Sequence, residues 1–175
     1  MQPSFEFSIT AMIKALSETV RPSVNPDDRA AVEQLNIVIG SLGVLREQID
    51  FAHWFEVVEA RDMSELVRAL VSITSLAASA HALSVATKAL EIAERHDVRL
   101  STVRDVNREL REVISLLIEQ AFDSSDAVLR RKVETLVLER SRQQVTRERA
   151  FVAGTKFDVF PDSLLSIEAA LNASE

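Results

Sequence analysis

Glycine and proline rarely interrupt this chain. Its 175 residues contain three glycines and four prolines. Because these residues are the strongest breakers of regular structure, their scarcity predicts long, unbroken elements. The apolar residues never alternate strictly with polar ones, as they would in half-buried strands. The sequence therefore predicts an all-α fold.

Apolar spacing and capping signals divide the chain into helices. Asn25-Pro26 predicts the start of one long helix, and Asp62-Met63-Ser64-Glu65 resembles a capping box that starts the next. Short connections favour antiparallel neighbours. We expect a single domain over 1–175, an antiparallel up-down bundle of four long helices with short N- and C-terminal helices. The predicted spans are 8–20, 26–60, 63–95, 101–121, 125–152 and 163–171.

The third predicted helix, over 63–95, contains a charge-free stretch from Ala69 to Thr87. A helix that is apolar on every side lies at the centre of a protein or in a membrane. Seven of the nineteen positions are Ser, Thr or His, which disfavours a membrane span. We therefore expect this helix at the centre of a bundle, with His81 as a hydrogen-bonded core residue.

Composition excludes several classes of function. The absence of cysteine excludes disulfides, thiolate metal sites and a cysteine nucleophile. A formal net charge of −7 disfavours nucleic acid as a partner, because phosphate binding needs an excess of Lys and Arg. Residues 1–7 lack the basic and apolar regions of a secretion signal, so we expect a cytoplasmic location.

Polar residues spaced three apart suggest one candidate metal site. Asp50, His53, Glu56 and Glu59 would share a helix face, and the first three could contribute ligands. A ferritin-like di-iron site needs a second carboxylate-x-x-His motif. The residue three positions before each of the other histidines, His81 and His96, is an alanine, so neither forms such a motif. We therefore expect no metal and no cofactor, and the alternative for this set is an exposed polar face.

A pocket between helices is the second candidate site. His53, Trp54 and His81 are the residues that we expect to line it, because each combines an apolar body with a polar atom. Such a pocket would make the protein a small-molecule binder or an enzyme. Convergence of these three side chains on one cavity is the condition for that interpretation.

Two further features have structural and functional interpretations. Gly40 and Gly43 lie within a predicted helix, where each costs up to about 1 kcal/mol relative to alanine. This cost suggests close packing of another helix there, or a kink or the approach of a ligand. The arginines of the fifth helix alternate with glutamates, which favours a solvated or inter-subunit face; they are Arg140, Arg142, Arg147 and Arg149.

The segment from Ile49 to Val85, with the core DFAHWFEVVEARDMSELVRALVSI, resembles the all-α nucleoside-triphosphate pyrophosphohydrolases of the MazG type. The resemblance implies two helices joined by a turn and a magnesium site made by acids on both. Asp50 and His53 match the ligand positions of the first helix. Ala69 and Ser72 stand where the second-helix acids belong, so the resemblance implies an inactive relative.

Residues 152–175 form an apolar tail, which includes Phe157, Val159, Phe160 and Leu165. A free terminus of this kind would risk aggregation, so we expect it to dock on its own bundle or to be exchanged with a partner subunit. We therefore expect a non-catalytic helical interaction or self-association module, most simply a homodimer. The alternative is the pocket-containing binder or enzyme, including the degenerate MazG-type protein.

Overall fold

The computed structural model describes residues 4–74, 79–155 and 158–173. Every regular element in these ranges is helical, which confirms the all-α class. Short π or 3₁₀ turns cover 16–20, 21–23, 153–155 and 161–163. The α-helices are α1 (Phe5–Ala15), α2 (Arg29–Gln48), α3 (Ala52–Thr74), α4 (Ser79–Ala93), α5 (Leu100–Asp123), α6 (Ala127–Phe151) and α7 (Ile167–Asn172).

The chain divides into two compact units. Unit 1 comprises Met1–Phe51 and Glu148–Ala169, and unit 2 comprises Ala52–Arg147 and Ala170–Glu175. The three boundaries, after residues 51, 147 and 169, fall where no run of glycine, proline or serine marks a linker. The single domain over 1–175 stays a prediction.

The helix predicted over 26–60 is wrong at both ends. Asp28, rather than Asn25, caps α2, because its side chain accepts a hydrogen bond from the Ala31 amide at 3.0 Å. Asn25 instead accepts from the Asp27 amide within the preceding turn. The helix ends at Gln48 without glycine or proline, so the sequence carries no breaker that would reveal the end.

The predicted capping box at Asp62–Glu65 is also wrong, because α3 runs through it without interruption. The Ser64 hydroxyl donates to the Ala60 carbonyl oxygen at 2.7 Å, one turn back along the same helix. A serine that bonds to the preceding turn is accommodated inside a helix and does not start one.

The helix predicted over 63–95 corresponds to two helices, the second half of α3 and the whole of α4. These helices pack against each other, and residues 75–78 of the prediction lie outside the described residues. The charge-free stretch is not central either: α4 buries one face, and Leu83 on its opposite face is exposed. The more deeply buried helix is α3, although it carries acidic residues.

The last three helices agree more closely with the predictions. For the span predicted over 101–121 the structure has α5, and for 125–152 it has α6. Asp126 caps α6 by accepting from the amides of Val128 and Leu129. The predicted C-terminal helix over 163–171 is shorter, since α7 begins at Ile167 after a 3₁₀ turn.

Unit 2 contains a hydrophobic core made of two clusters of buried residues. Val57 and Ala60 near the start of α3 cluster with Ala93 at the end of α4, so the two helices are antiparallel. The core has buried members from α3, α4, α5 and α6: Met63, Leu66, Val67, Leu70, Ala82, Val85, Ala86, Ala89, Val106, Leu110, Val113, Leu117, Ala121 and Val133. Small alanines on α4 allow the neighbouring helices to approach closely. The full up-down order of four long helices stays a prediction.

Unit 1 has almost no core of its own. Among its described residues, Ile9 and Ala150 are the buried ones. All 20 residues of α2 are exposed or partly exposed. Gln48 donates a hydrogen bond to the Phe151 carbonyl oxygen at 2.7 Å, and Asp158 pairs with Arg149 at 2.8 Å, so polar contacts contribute to this unit.

Candidate functional site

A buried ion pair joins α3 and α6 in unit 2. The Nη2 and Nε atoms of Arg147 donate to Glu59 Oε1 at 2.8 and 3.1 Å. The Glu59 side chain is 1% exposed and the Arg147 side chain 3% exposed. Charges removed from water in this way are tolerated only when each has a partner, so these two residues depend on each other.

Asp62 lies one turn after Glu59 and faces the same arginine. Its Oδ2 is 2.6 Å from Arg147 Nη1 but outside hydrogen-bond geometry. Burial raises the pKa of Asp62 above its ordinary value, and the attraction of Arg147 only partly offsets this effect. Arg147 is therefore a cationic partner of both Glu59 and Asp62.

The same face of α3 continues to α5. Glu56 accepts from Arg104 Nε at 2.9 Å and from Asn107 Nδ2 at 2.8 Å. Asn107 is fully buried and also donates to the Glu56 carbonyl oxygen. Arg104 of α5 contacts Glu56 and Arg111 contacts Glu59 at 4.0 Å, so the contacts advance in the same direction along both helices and α5 is parallel to α3. On α6, Arg140 contacts Glu65 and Arg147 contacts Glu59, which is the reverse order.

The carboxylates in this cluster are paired with arginine or with amide donors. Such an arrangement fixes the alignment of the helices that carry these residues. The prediction of an exposed polar face is wrong for Glu59, and that of a solvated face is wrong for Arg147. Glu59 lies between Val58 and Ala60, and this apolar surrounding is the sequence signal for its burial.

The structure does not bring the predicted pocket residues together. His53 and Trp54 lie at the start of α3, and His81 lies at the start of α4. Because α3 and α4 are antiparallel, these positions are at opposite ends of the pair, about 25 Å apart at 1.5 Å per helical residue. His81 is also exposed, which corrects the prediction of a core histidine: the apolar face of α4 is the one formed by Ala82, Val85 and Ala86.

The candidate metal residues do not form a site in the described part of the chain. No group of three or more His, Asp or Glu residues there is arranged to hold a metal ion. Glu56 is occupied by Arg104 and Asn107. Asp50 lines a hollow of about 490 Å³ in unit 1 together with Glu6, Arg46 and other residues. The absence of a metal stays a prediction.

The arrangement implied by the resemblance to MazG-type enzymes is contradicted. That arrangement needs two helices that face each other across a turn, but His53, Ala69 and Ser72 all lie on the single helix α3. His53 and Ala69 are sixteen residues apart, or about 24 Å along the axis. One metal ion cannot be shared across that distance.

The two glycines of α2 lie in open space. A Cβ atom built at Gly40 or Gly43 meets nothing within 4 Å. The prediction that another helix packs closely there is therefore wrong for this chain. Gly154 is different, because a Cβ atom there would lie 2.5 Å from Glu47 Oε2. Of the three glycines, Gly154 is therefore the one that another residue approaches closely.

A second candidate site is a groove of about 510 Å³ between α3 and α6 in unit 2. Apolar atoms form its floor, and charged side chains stand at its rim. The lining residues are Ala69, Ser72 and Ile73 from α3, and Val128, Arg131, Lys132, Thr135, Leu136 and Glu139 from α6. None of the pocket residues predicted from the sequence lines it.

The apolar tail is partly buried. Ala170 and Leu171 are 2% and 1% exposed, whereas Val159 and Phe160 are largely in solvent. Lys156 and Phe157 lie outside the described residues. The end of the described tail thus contacts its own chain, and exchange with a partner subunit stays a prediction.

No described helix combines the length and hydropathy needed to cross a membrane. Comparison with known proteins adds no further information, since no family model, curated protein or solved structure matches this chain.

Proposed function

We propose that the protein is a non-catalytic self-association module, in which α2 of unit 1 packs against a second copy of the chain. The observation that carries this proposal is that α2, a helix of 20 residues, buries none of them. Helices obtain most of their stability from packing an apolar face, and α2 leaves such a face without cover.

The outer face of α2 is uncharged. Ile37, Val38, Ser41 and Leu45 share this face by their spacing, and Ile37 is 52% exposed. An exposed helix ordinarily turns charged residues to water, so an uncharged outer stripe favours contact with protein.

The exposed apolar area is close to what a dimer needs. The large exposed side chains of α1 and α2 are Phe5, Phe7, Met12, Ile37, Val38 and Leu45. At about 150–200 Å² for each full side chain, they expose on the order of 600 Å². A stable interface buries about 800 Å² on each partner. A second copy is the occupant that we infer, because one face of one helix can pair with itself around a twofold axis.

The test is the mass of the full chain in solution. We expect a dimer at about 50 μM by sedimentation equilibrium, with an affinity in the micromolar range or tighter. The variant Ile37→Glu/Leu45→Glu places charges on the α2 face and should give a monomer of unchanged helical content.

The matched control is Leu83→Glu/Leu116→Glu, which changes two exposed leucines of unit 2. It should remain a dimer. A monomeric parent at this concentration would overturn the proposal, as would a dimer that the α2 substitutions leave intact.

A further inference from the structure

The groove between α3 and α6 combines an apolar floor with a cationic rim. Ala69, Ile73, Val128 and Leu136 provide its apolar surface. Its volume of about 510 Å³ lies within the range of sites that bind small molecules, about 300–1,000 Å³.

Small side chains open the groove at one end of the helix pair. Ala69 and Ser72 on α3 and Thr135 on α6 all line it, so small side chains from both helices leave space among the described residues. At the other end, long side chains bridge the same helices: Arg140 pairs with Glu65 at 3.2 Å, and Arg147 pairs with Glu59. The groove therefore arises from the change of residue size along α3.

The two cations at the rim differ from the other cations of unit 2 that face α3. Arg104, Arg140 and Arg147 each pair with a carboxylate of α3. Neither Arg131 nor Lys132 has an acidic partner within 4.0 Å among the residues that the structure describes. Both are exposed, so an anion in the groove could reach them without displacing another contact.

The charges at the rim differ between the two ends of the groove. Glu139 stands seven residues beyond Lys132 on α6, or about 10 Å along the axis. An anionic group is attracted to the end with Arg131 and Lys132 and repelled from the end with Glu139. A ligand with one anionic head is therefore oriented with its head at the first end.

We propose that this groove binds a single-chain anionic amphiphile, a medium- or long-chain carboxylate. The carboxylate accepts hydrogen bonds from Arg131 and Lys132, and the alkyl chain lies over Ile73, Leu136 and Ala69. The floor contributes apolar burial, and the cations select the charge of the head. This site is independent of the α2 face and of self-association.

The probe is decanoate below its aggregation concentration, titrated into the full chain by isothermal calorimetry. We expect one site per chain. Decan-1-ol, which has the same chain length without the charge, should bind at least about tenfold more weakly, and decyltrimethylammonium should show no binding.

Two variants test the location of the site. Arg131→Ala/Lys132→Ala removes the head contacts and should weaken decanoate binding about tenfold or more. Thr135→Phe fills the groove and should abolish binding while the cations remain. Both residues at 131 and 132 are exposed, so circular dichroism should show an unchanged fold.

Two matched controls change the same kinds of residue elsewhere. Arg108→Ala/Arg142→Ala removes two other exposed arginines and the same net charge. Ile37→Glu/Leu45→Glu disrupts the apolar face of α2. Both should bind decanoate as the parent does, which also separates this proposal from the self-association proposal.

Three outcomes would overturn the proposal. The first is no decanoate binding at millimolar concentration, and the second is equal affinity for decanoate and decan-1-ol. The third is retention on phosphatidylglycerol vesicles without binding of free decanoate, because that result assigns the anion to a membrane surface.

Discussion

Unit 1 and unit 2 place their apolar and charged residues in opposite ways. Unit 2 buries Leu70, Leu110 and Leu117 completely, and it also buries Glu59 with Arg147. Unit 1 leaves Phe5 and Phe7 in solvent at 76% and 66% exposure. The ion pair between Arg149 and Asp158 in unit 1 involves a partly exposed arginine. Two helical units of one chain thus differ in whether their own residues complete a core.

This difference shows that helical pattern and tertiary burial are separate properties. The outer face of α2 is uncharged and largely apolar, yet none of the residues that the structure describes buries it. In contrast, α3 contains Glu59 and Asp62 and lies at the centre of unit 2. Whether a residue is buried depends on which partner reaches it, and the partner of Glu59 is 88 residues away in the sequence.

The largest expected difference in stability between the two units is at two arginines near the end of α6, Arg147 and Arg149. Arg147→Ala removes the closest cation of Glu59 and the cation beside Asp62, and leaves Glu59 the longer contact with Arg111 at 4.0 Å. We therefore expect a loss of about 3 kcal/mol in the free energy of unfolding of unit 2. Arg149→Ala, only two residues away, removes a pair that water screens and should cost clearly less. Urea denaturation followed by circular dichroism measures both losses.

A combined variant separates the cost of an unpaired charge from the value of the pair. Glu59→Leu/Asp62→Leu/Arg147→Met removes the arginine together with both carboxylates that face it, and should recover most of the stability that Arg147→Ala loses. Equal losses for Arg147→Ala and Arg149→Ala would show that burial of the ion pair does not distinguish the two units.

The sequence predicted the helical class and the positions of α5 and α6, because a regular apolar stripe marks α5 and the Asp126 cap marks the start of α6. It did not predict the division between α2 and α3, since the turn there contains no glycine or proline. It also placed the central helix wrongly. Freedom from charge between Ala69 and Thr87 suggested burial on all sides, but the small side chains of α4 make a surface helix with one packed face.

The candidate sites were less predictable than the fold. His53, Trp54 and His81 were chosen by residue type, and residue type does not determine which helices face each other. The groove instead depends on the small size of Ala69 and Ser72 opposite Thr135. Small residues in a sequence do not indicate a binding site unless the helix that packs opposite them is known, and the packing of α6 on α3 could not be predicted.

A smaller effect tests whether α2 is open at its glycines. Gly40→Ala adds a Cβ atom that meets nothing within 4 Å, in the interior of a helix. We expect a gain of about 0.5–1 kcal/mol in the stability of α2, because alanine loses less conformational freedom on folding. Gly154→Ala is the matched control and should give no gain, since its Cβ atom would approach Glu47 and Val44. Thermal unfolding at one protein concentration measures both changes in stability. A loss of stability in Gly40→Ala would contradict the open space at Gly40 and would support close packing against α2.

The smallest effect is a difference in sign between one aspartate of each unit. In unit 1, hydrogen bonds from Arg149 lower the pKa of Asp158 to about 2, from an ordinary value of 3.8. The ionised form is favoured by the fold, so its contribution to stability is complete above about pH 4 and is lost as the pH falls to about 2. In unit 2, burial raises the pKa of Asp62. The protonated form is favoured by the fold there, so its contribution is complete below pH 3.8 and is lost as the pH rises through the raised pKa.

We expect the stability difference between the parent and Asp158→Asn to grow with rising pH between about 2 and 4, and that between the parent and Asp62→Asn to shrink above about pH 4. Carboxyl carbon chemical shifts followed through the titration give the two pKa values directly. Shifts of the same direction at both residues would mean that the two units do not differ in how they treat a charge.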